Sequence, residues 1–146
     1  MYIVSACLLG QCCRYNGVSQ ASEETKFFLD GKSYIAVCPE VDGGLSVPRA
    51  PSEVIGKTVR NQKGEDVTEA FEKGAHLAYD AALKEALRLG EVIDMAILKA
   101  KSPSCGSKEI YDGTFQGRLV PGAGLFTKLL REKGIKVISE EDLIKR

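Results

Sequence analysis

Three of the five cysteines follow short apolar runs. Tyr2-Ile3-Val4-Ser5-Ala6 leads into Cys7 and Leu8-Leu9-Gly10, and Ser33-Tyr34-Ile35-Ala36-Val37 leads into Cys38, Pro39 and Glu40. Ile93 to Leu98 continues through Lys99-Ala100-Lys101 into Ser102-Pro103-Ser104-Cys105-Gly106. Runs of this kind suit strands buried on both faces, as in a parallel sheet. Pro103, which has no N–H to donate, is expected to end the third ladder. If the three strands are parallel neighbours, Cys7, Cys38 and Cys105 converge at the carboxyl edge of the sheet, where open α/β folds bind ligands.

A cluster of thiols admits several chemistries. Buried free cysteine is commonly plain core, which suits Cys12 or Cys13 singly better than three cysteines placed alike. Structural zinc and dithiol redox sites favour Cys-x-x-Cys, and the chain has only the adjacent Cys12 and Cys13. The single histidine, His76, leaves few ways to build a Cys–His pair. An iron–sulfur cluster accepts thiolates from widely separated loops. Three thiolates on a cubane leave one iron open as a Lewis acid. Near the cysteines, Glu40 is a candidate base and the Gly43-Gly44 turn could let backbone approach a flat ring. Arg49 is a candidate anchor for a carbonyl oxygen or phosphate, or else half of a structural ion pair. Ser104 is a further candidate substrate contact. A catalyst, a metal- or cluster-binding sensor and a metal-free thiol enzyme all stay open on these residues.

Length and composition narrow the setting. The chain has 146 residues, with 20 basic and 20 acidic side chains, so no net field draws it to nucleic acid. No apolar run is long enough for a membrane span, and no basic region precedes the apolar start, so a cytoplasmic protein is expected. An odd number of cysteines in a reducing compartment points to metal, catalysis or inert thiols rather than a disulfide framework.

Positioning these residues requires elements of both kinds. Ser22 can cap a helix over Glu23 to Leu29, with acids in its first turn. The segment 43–50 shows no period and reads as an irregular wall. Val54 to Val59 is expected as an edge strand or hairpin arm, with a turn over 61–64. A long helix runs from Thr68, as cap, to Leu89, its stripe formed by Phe71, Ala75, Ala78, Ala82, Leu83, Ala86 and Leu89. Ile110 to Phe115 reads as a hairpin tip. Leu125 to Glu132 is a helix behind Gly122-Ala123-Gly124, a motif that could present a helix N-terminus to an anion. Ile135 to Ile138 is a last strand and Glu140 to Lys145 a last helix. Strands alternating with helices imply one α/β domain over 1–146, a Rossmann-like three-layer fold with a mostly parallel sheet flanked by helices and the cysteine loops at the C-terminal strand edge.

Taken in order, several motifs resemble the DUF523 family, and in particular its thiouracil desulfidase type. They are Ser5-Ala6-Cys7-Leu8-Leu9-Gly10, Cys13-Arg14-Tyr15, Cys38-Pro39-Glu40, Gly43-Gly44-Leu45, Pro48-Arg49-x-Pro51, Gly64-x-Asp66-Val67-Thr68 and the run from Leu98-Lys99 to Gly106. The resemblance implies a [4Fe-4S] cluster, liable to loss in aerobic preparations, on Cys7, Cys38 and Cys105, with Cys13 a reserve ligand. It implies Glu40 and Ser102 beside the open iron, and non-redox, hydrolytic removal of sulfur from a thiolated pyrimidine. The expected partner is a small thiolated base or nucleoside rather than tRNA or a membrane. Asn16 and Phe126 depart from the family pattern.

Overall fold

The computed structural model describes residues 1–144. Its elements in chain order are β1 (Tyr2–Ser5), α1 (Glu23–Leu29), β2 (Tyr34–Val37), α2 (Pro39–Asp42), β3 (Ser52–Ile55), β4 (Thr58–Asn61), α3 (Thr68–Leu89), β5 (Met95–Leu98), β6 (Glu109–Tyr111), β7 (Leu119–Pro121), α4 (Leu125–Glu132) and β8 (Val137–Ser139). Two 3-10 turns, Ala6–Leu9 and Glu140–Leu143, follow β1 and β8.

The expected α/β fold with a parallel central sheet is the observed one. The strand order is β2-β1-β5-β8, and every pair is parallel. Alternation along each strand decides which side it serves. Ile3, Ala96 and Leu98 face α3 and α4, together with Ala75, Ala78, Ala82, Phe126 and Leu130. Val4 and Ile97 face the other way, onto Leu8, Leu29 and the partly buried Leu143. The chain passes from β1 to β2 on one side and later enters β5 on the other, so β1 and β5 flank the topological switch point. The three strands leading to Cys7, Cys38 and Cys105 are consecutive in the sheet. They also end level, since Ser5 pairs with Val37 and Val4 with Ile97.

Two antiparallel hairpins, β3–β4 and β6–β7, stand beyond this edge over a small core of Val54, Val59, Phe71 and Ile110. The expectation of one arm over Val54 to Val59 is corrected: Gly56, at φ 64°, reverses the chain inside it. Thr68 is the first residue of α3 rather than its cap. Its Oγ1 accepts from Val59 N at 2.8 Å, while Asp66 Oδ1 accepts from Thr68 N at 2.9 Å. Leu83 and Leu89 lie on the solvent side of α3, 43% and 36% exposed, which leaves the small alanines to pack on the sheet. Pro103 does not end β5. The ladder stops at Leu98, where Ser5 Oγ takes Lys99 N and Glu140 Oε1 takes Ala100 N, both at 2.9 Å. The last helix is a 3-10 turn with a Ser139–Asp142 capping box, and Lys145 falls outside the described residues. Among the described residues no helix is long and apolar enough to cross a membrane.

Candidate functional site

Each cysteine reaches the sheet edge on a locally fixed turn. Cys7 sits in the 3-10 turn that continues β1, closed by Gly10 at φ 100°. Cys38 is the N-cap of α2, whose first residue, Pro39, starts the helix with no N–H to leave unpaired. Pro39 to Asp42 thus form one helical turn, and Gly43-Gly44 follow it as a turn. Cys105 lies in a turn held by Ser102, whose Oγ accepts from Ser104 N at 3.1 Å and Cys105 N at 3.0 Å. From behind, Leu125 N and Phe126 N donate to the carbonyls of Pro103 and Ser104, and Thr127 Oγ1 donates to Cys105 O. The α4 N-terminus thus gives its amides to the cysteine turn and offers no anion site, which corrects that expectation. Gly124 permits this approach, since a Cβ there would strike the Ser104 backbone.

The three thiols face a cavity of about 540 Å³, within the ordinary range for small-molecule sites. Cys13, from the loop after β1, lines it as well, and the Cys38 thiol donates to Cys13 O at 3.7 Å. Cys12 is exposed and does not line the cavity. Among the described residues no three His, Cys, Asp or Glu side chains gather tightly enough for one metal ion. A polynuclear cluster presents a separate metal atom to each thiolate, so four thiols spread around one cavity suit it better.

Glu40 enters the same cavity from α2, and both its oxygens are engaged. Oε1 receives Arg49 Nε at 3.0 Å, and Oε2 receives the Ser104 hydroxyl at 3.2 Å. The pair is well shielded, with the Arg49 and Glu40 side chains 8% and 15% exposed. Arg49 also donates to Ser46 O from Nη1 at 2.9 Å and to Cys13 O from Nη2 at 3.1 Å. One guanidinium therefore joins α2, the Cys13 loop and the wall after Gly44. Of the two readings open for Arg49, the ion pair is the one the molecule adopts.

Burial and neighbouring thiols control ionisation here. Burial pushes the Cys7 thiol up to about 11, against pulls from Lys99 and Arg14. Burial likewise raises Cys105, with a Ser5 hydrogen bond opposing it. Contact with Cys13 and burial raise Cys38, while the same contact lowers Cys13. In the absence of a cation, Cys7, Cys38 and Cys105 are neutral at pH 7. A bound metal would take them as thiolates and release their protons.

The structure brings together Cys7, Cys13, Cys38, Cys105, Glu40, Arg49, Ser102 and Ser104. It does not bring Gly43 or Gly44 to the cavity. Gly43 lies against α3, where a Cβ would strike Ala70 O, so its lack of a side chain serves helix packing. His76 is exposed on α3. Lys99, Glu53, Tyr111 and Phe115 also line the cavity and were not among the expected site residues. Glu53 and Phe115 belong to hairpins whose placement over the sheet edge has no local sequence signal.

A family model described as 2-thiouracil desulfurase matches residues 2–142. The uncharacterized protein YbbK of Bacillus subtilis (strain 168) is 42% identical over 153 residues, covering 98% of this chain and 97% of that protein. The solved structure of the [4Fe-4S]-dependent thiouracil desulfidase TudS (DUF523Vcz) superposes with a TM-score of 0.84 at 46% identity, covering 97% of this chain and 91% of the other.

Proposed function

The chain belongs to the 2-thiouracil desulfurase family, and from that premise we propose that it desulfurises a thiolated pyrimidine, as free base or nucleoside. We assign a [4Fe-4S] cluster to Cys7, Cys38 and Cys105. The observation that carries the reading is the convergence of these thiols and the braced Glu40 carboxylate on one cavity. When bound, the cluster supplies a soft Lewis-acidic iron that prefers sulfur to oxygen and polarises the carbon–sulfur bond.

The reaction is a hydrolysis. A thiocarbonyl and water give a carbonyl and hydrogen sulfide: a carbon–oxygen bond forms, the carbon–sulfur bond breaks, both water protons end on sulfur and no electrons are exchanged. Glu40 takes the first proton at Oε2, because Oε1 is occupied by Arg49 while Oε2 carries only the neutral Ser104 hydroxyl. Ser102 Oγ already accepts two backbone N–H groups, which fills its acceptor positions and leaves its hydroxyl to act as a donor. From the cavity wall it donates to the departing sulfur. Arg49 fixes the carboxylate, with all three of its nitrogens engaged within the protein.

One observation favours a second reading, a fully ligated sensor: Cys13 is a fourth thiol against Cys38. A single experiment separates the two. Wild type, Glu40→Gln and Cys13→Ser are loaded anaerobically, iron is determined, and sulfide release from 2-thiouracil and 4-thiouridine is followed. Cys13→Ser is expected to keep its iron, and Glu40→Gln to keep its iron while losing ~10²–10⁴-fold in turnover. Wild-type turnover in Glu40→Gln removes the carboxylate from the chemistry. Iron loss in Cys13→Ser, with no sulfide from loaded wild type, establishes the sensor.

A further inference from the structure

Among the described residues only two non-glycine residues have positive φ, Lys101 at 69° and Phe115 at 59°, and both line the cavity. A left-handed backbone is unfavourable for a bulky side chain and persists only where its surroundings impose it. Around Phe115 the imposing group is identifiable. Glu53 Oε1, on β3, accepts from Gly113 N at 2.9 Å and from Phe115 N at 3.1 Å, at the tip joining β6 to β7. Glu53 is a carboxylate only 9% exposed, so these are charge-assisted bonds in a shielded setting.

The tip is fastened a second time by Gly113, at φ 96°. A Cβ there would meet Val54 O at 3.2 Å and the Ile55 side chain. Asp112 Oδ1 takes Thr114 N at 3.0 Å and closes the turn. These restraints fall on backbone groups, whereas the Phe115 ring belongs to none of the three apolar cores. It is half-buried and forms part of the cavity wall. An aromatic side chain whose backbone is already fixed, and whose ring is left out of the core, can meet a flat ligand with only its ring torsions left to order.

We propose that Phe115 is the stacking face for the pyrimidine ring of the substrate, and that Glu53 is the positioning residue that holds it there. This rests on the thiolated-pyrimidine reading of the same cavity. Stacking recognises the ring and not the sulfur, so it acts on uracil as it does on 2-thiouracil. Phe115 therefore selects thiolated bases over non-aromatic thiocarbonyls, a selection that iron–sulfur affinity alone does not provide.

The test measures uracil and 2-thiouracil binding by anaerobic equilibrium dialysis on cluster-loaded wild type, Phe115→Leu, Phe115→Tyr and Glu53→Gln. Iron content, melting temperature and steady-state kinetics on 2-thiouracil are taken from the same samples. Loss of a base–aromatic stack should weaken binding about 5- to 150-fold. Phe115→Leu is thus expected to weaken uracil and raise KM by such a factor, with kcat and iron retained. Phe115→Tyr should restore affinity to within about twofold, and Glu53→Gln should weaken uracil binding without loss of iron. Unchanged uracil affinity and KM in a folded Phe115→Leu, a Tyr variant no better than Leu, or a wild type that does not bind uracil overturns the stacking role. Full affinity in Glu53→Gln overturns the positioning role. Phe115-dependent uracil binding without sulfide release keeps the stacking face and rejects desulfuration. Normal sulfide release with Phe115-independent affinity does the reverse.

Discussion

Replacing Arg49 tests whether one side chain holds the candidate base in place. Its guanidinium reaches Glu40 Oε1, Ser46 O and Cys13 O from three different nitrogens, with the ion pair only 8% and 15% exposed. Arg49→Met removes the charge and every donor, leaving a shielded carboxylate without its partner. Breaking such a pair typically costs ~3–5 kcal/mol, and we take ~3 because water reaches the Ser46 carbonyl. At about 2.1 cal/mol/K per residue the unfolding entropy of this chain is ~0.3 kcal/mol/K, so Tm should fall by about 10 °C. Arg49→Lys keeps a charge for Glu40 but loses the two carbonyl bonds. At ~1 kcal/mol each that is ~2 kcal/mol, or a fall of about 6 °C. Thermal unfolding of cluster-free protein reads the first effect. Sulfide release well below Tm reads the second: kcat should fall while KM for 2-thiouracil holds, and Lys should recover part of the loss. A Tm for Arg49→Met within about 2 °C of wild type would refute the brace. A raised KM at constant kcat would return Arg49 to the substrate, the other role its sequence position allowed.

Two further outcomes follow from the same geometry. Gly74 on α3 sits where a Cβ would strike Pro39 O, so Gly74→Ala should displace α2 and weaken iron retention and turnover together, whereas Glu40→Gln loses turnover alone; iron analysis beside sulfide release distinguishes them. Burial raises Cys7 from its ordinary 9.0 to about 11, so its contribution to stability is complete below pH 9 and lost as pH rises through about 11. The denaturant midpoint of cluster-free protein should fall across that window, and Cys7→Ala should flatten the fall.

What the sequence disclosed depended on how local the cause was. Cys7, Cys38 and Cys105 were legible because a strand and the turn after it are neighbours in the chain, and a parallel sheet brings such ends level. Ser22 was legible as a cap because its partner, Thr25 N, is three residues away. Gly43-Gly44 misled for the opposite reason. A glycine that admits a ligand and one that admits a helix look alike, and here the partner is α3, about thirty residues on. Arg49 could be read two ways because its choice of Glu40 is made by α2, a four-residue helix too short to show a period in the sequence. Phe115 gave no signal, since its backbone angle is set by Glu53, which is 62 residues away.

The placement of Cys38 and Glu40 carries the deepest consequence for mechanism. Cys38 caps α2 and Glu40 is its second residue, so an assigned ligand and the assigned base share one helical turn. That turn has little freedom. Gly43 and Gly74 let its backbone lie directly on α3, and Arg49 and Ser104 hold the carboxylate from two sides. The backbone relation of Cys38 to Glu40 is therefore fixed by one helical turn, and hydrogen bonds to Cys13 O, Arg49 and Ser104 set the two side chains on it. A base proposed to deliver water to a thiocarbonyl carbon would gain from such a restraint, because the orientation is established on folding and need not be found at each turnover. Cys7 and Cys105 arrive on other elements and share no turn with a carboxylate that faces the cavity. Of the three proposed ligands, Cys38 is thus the one tied by backbone to the proposed base, while Cys7 and Cys105 reach the cavity from the turns after β1 and β5.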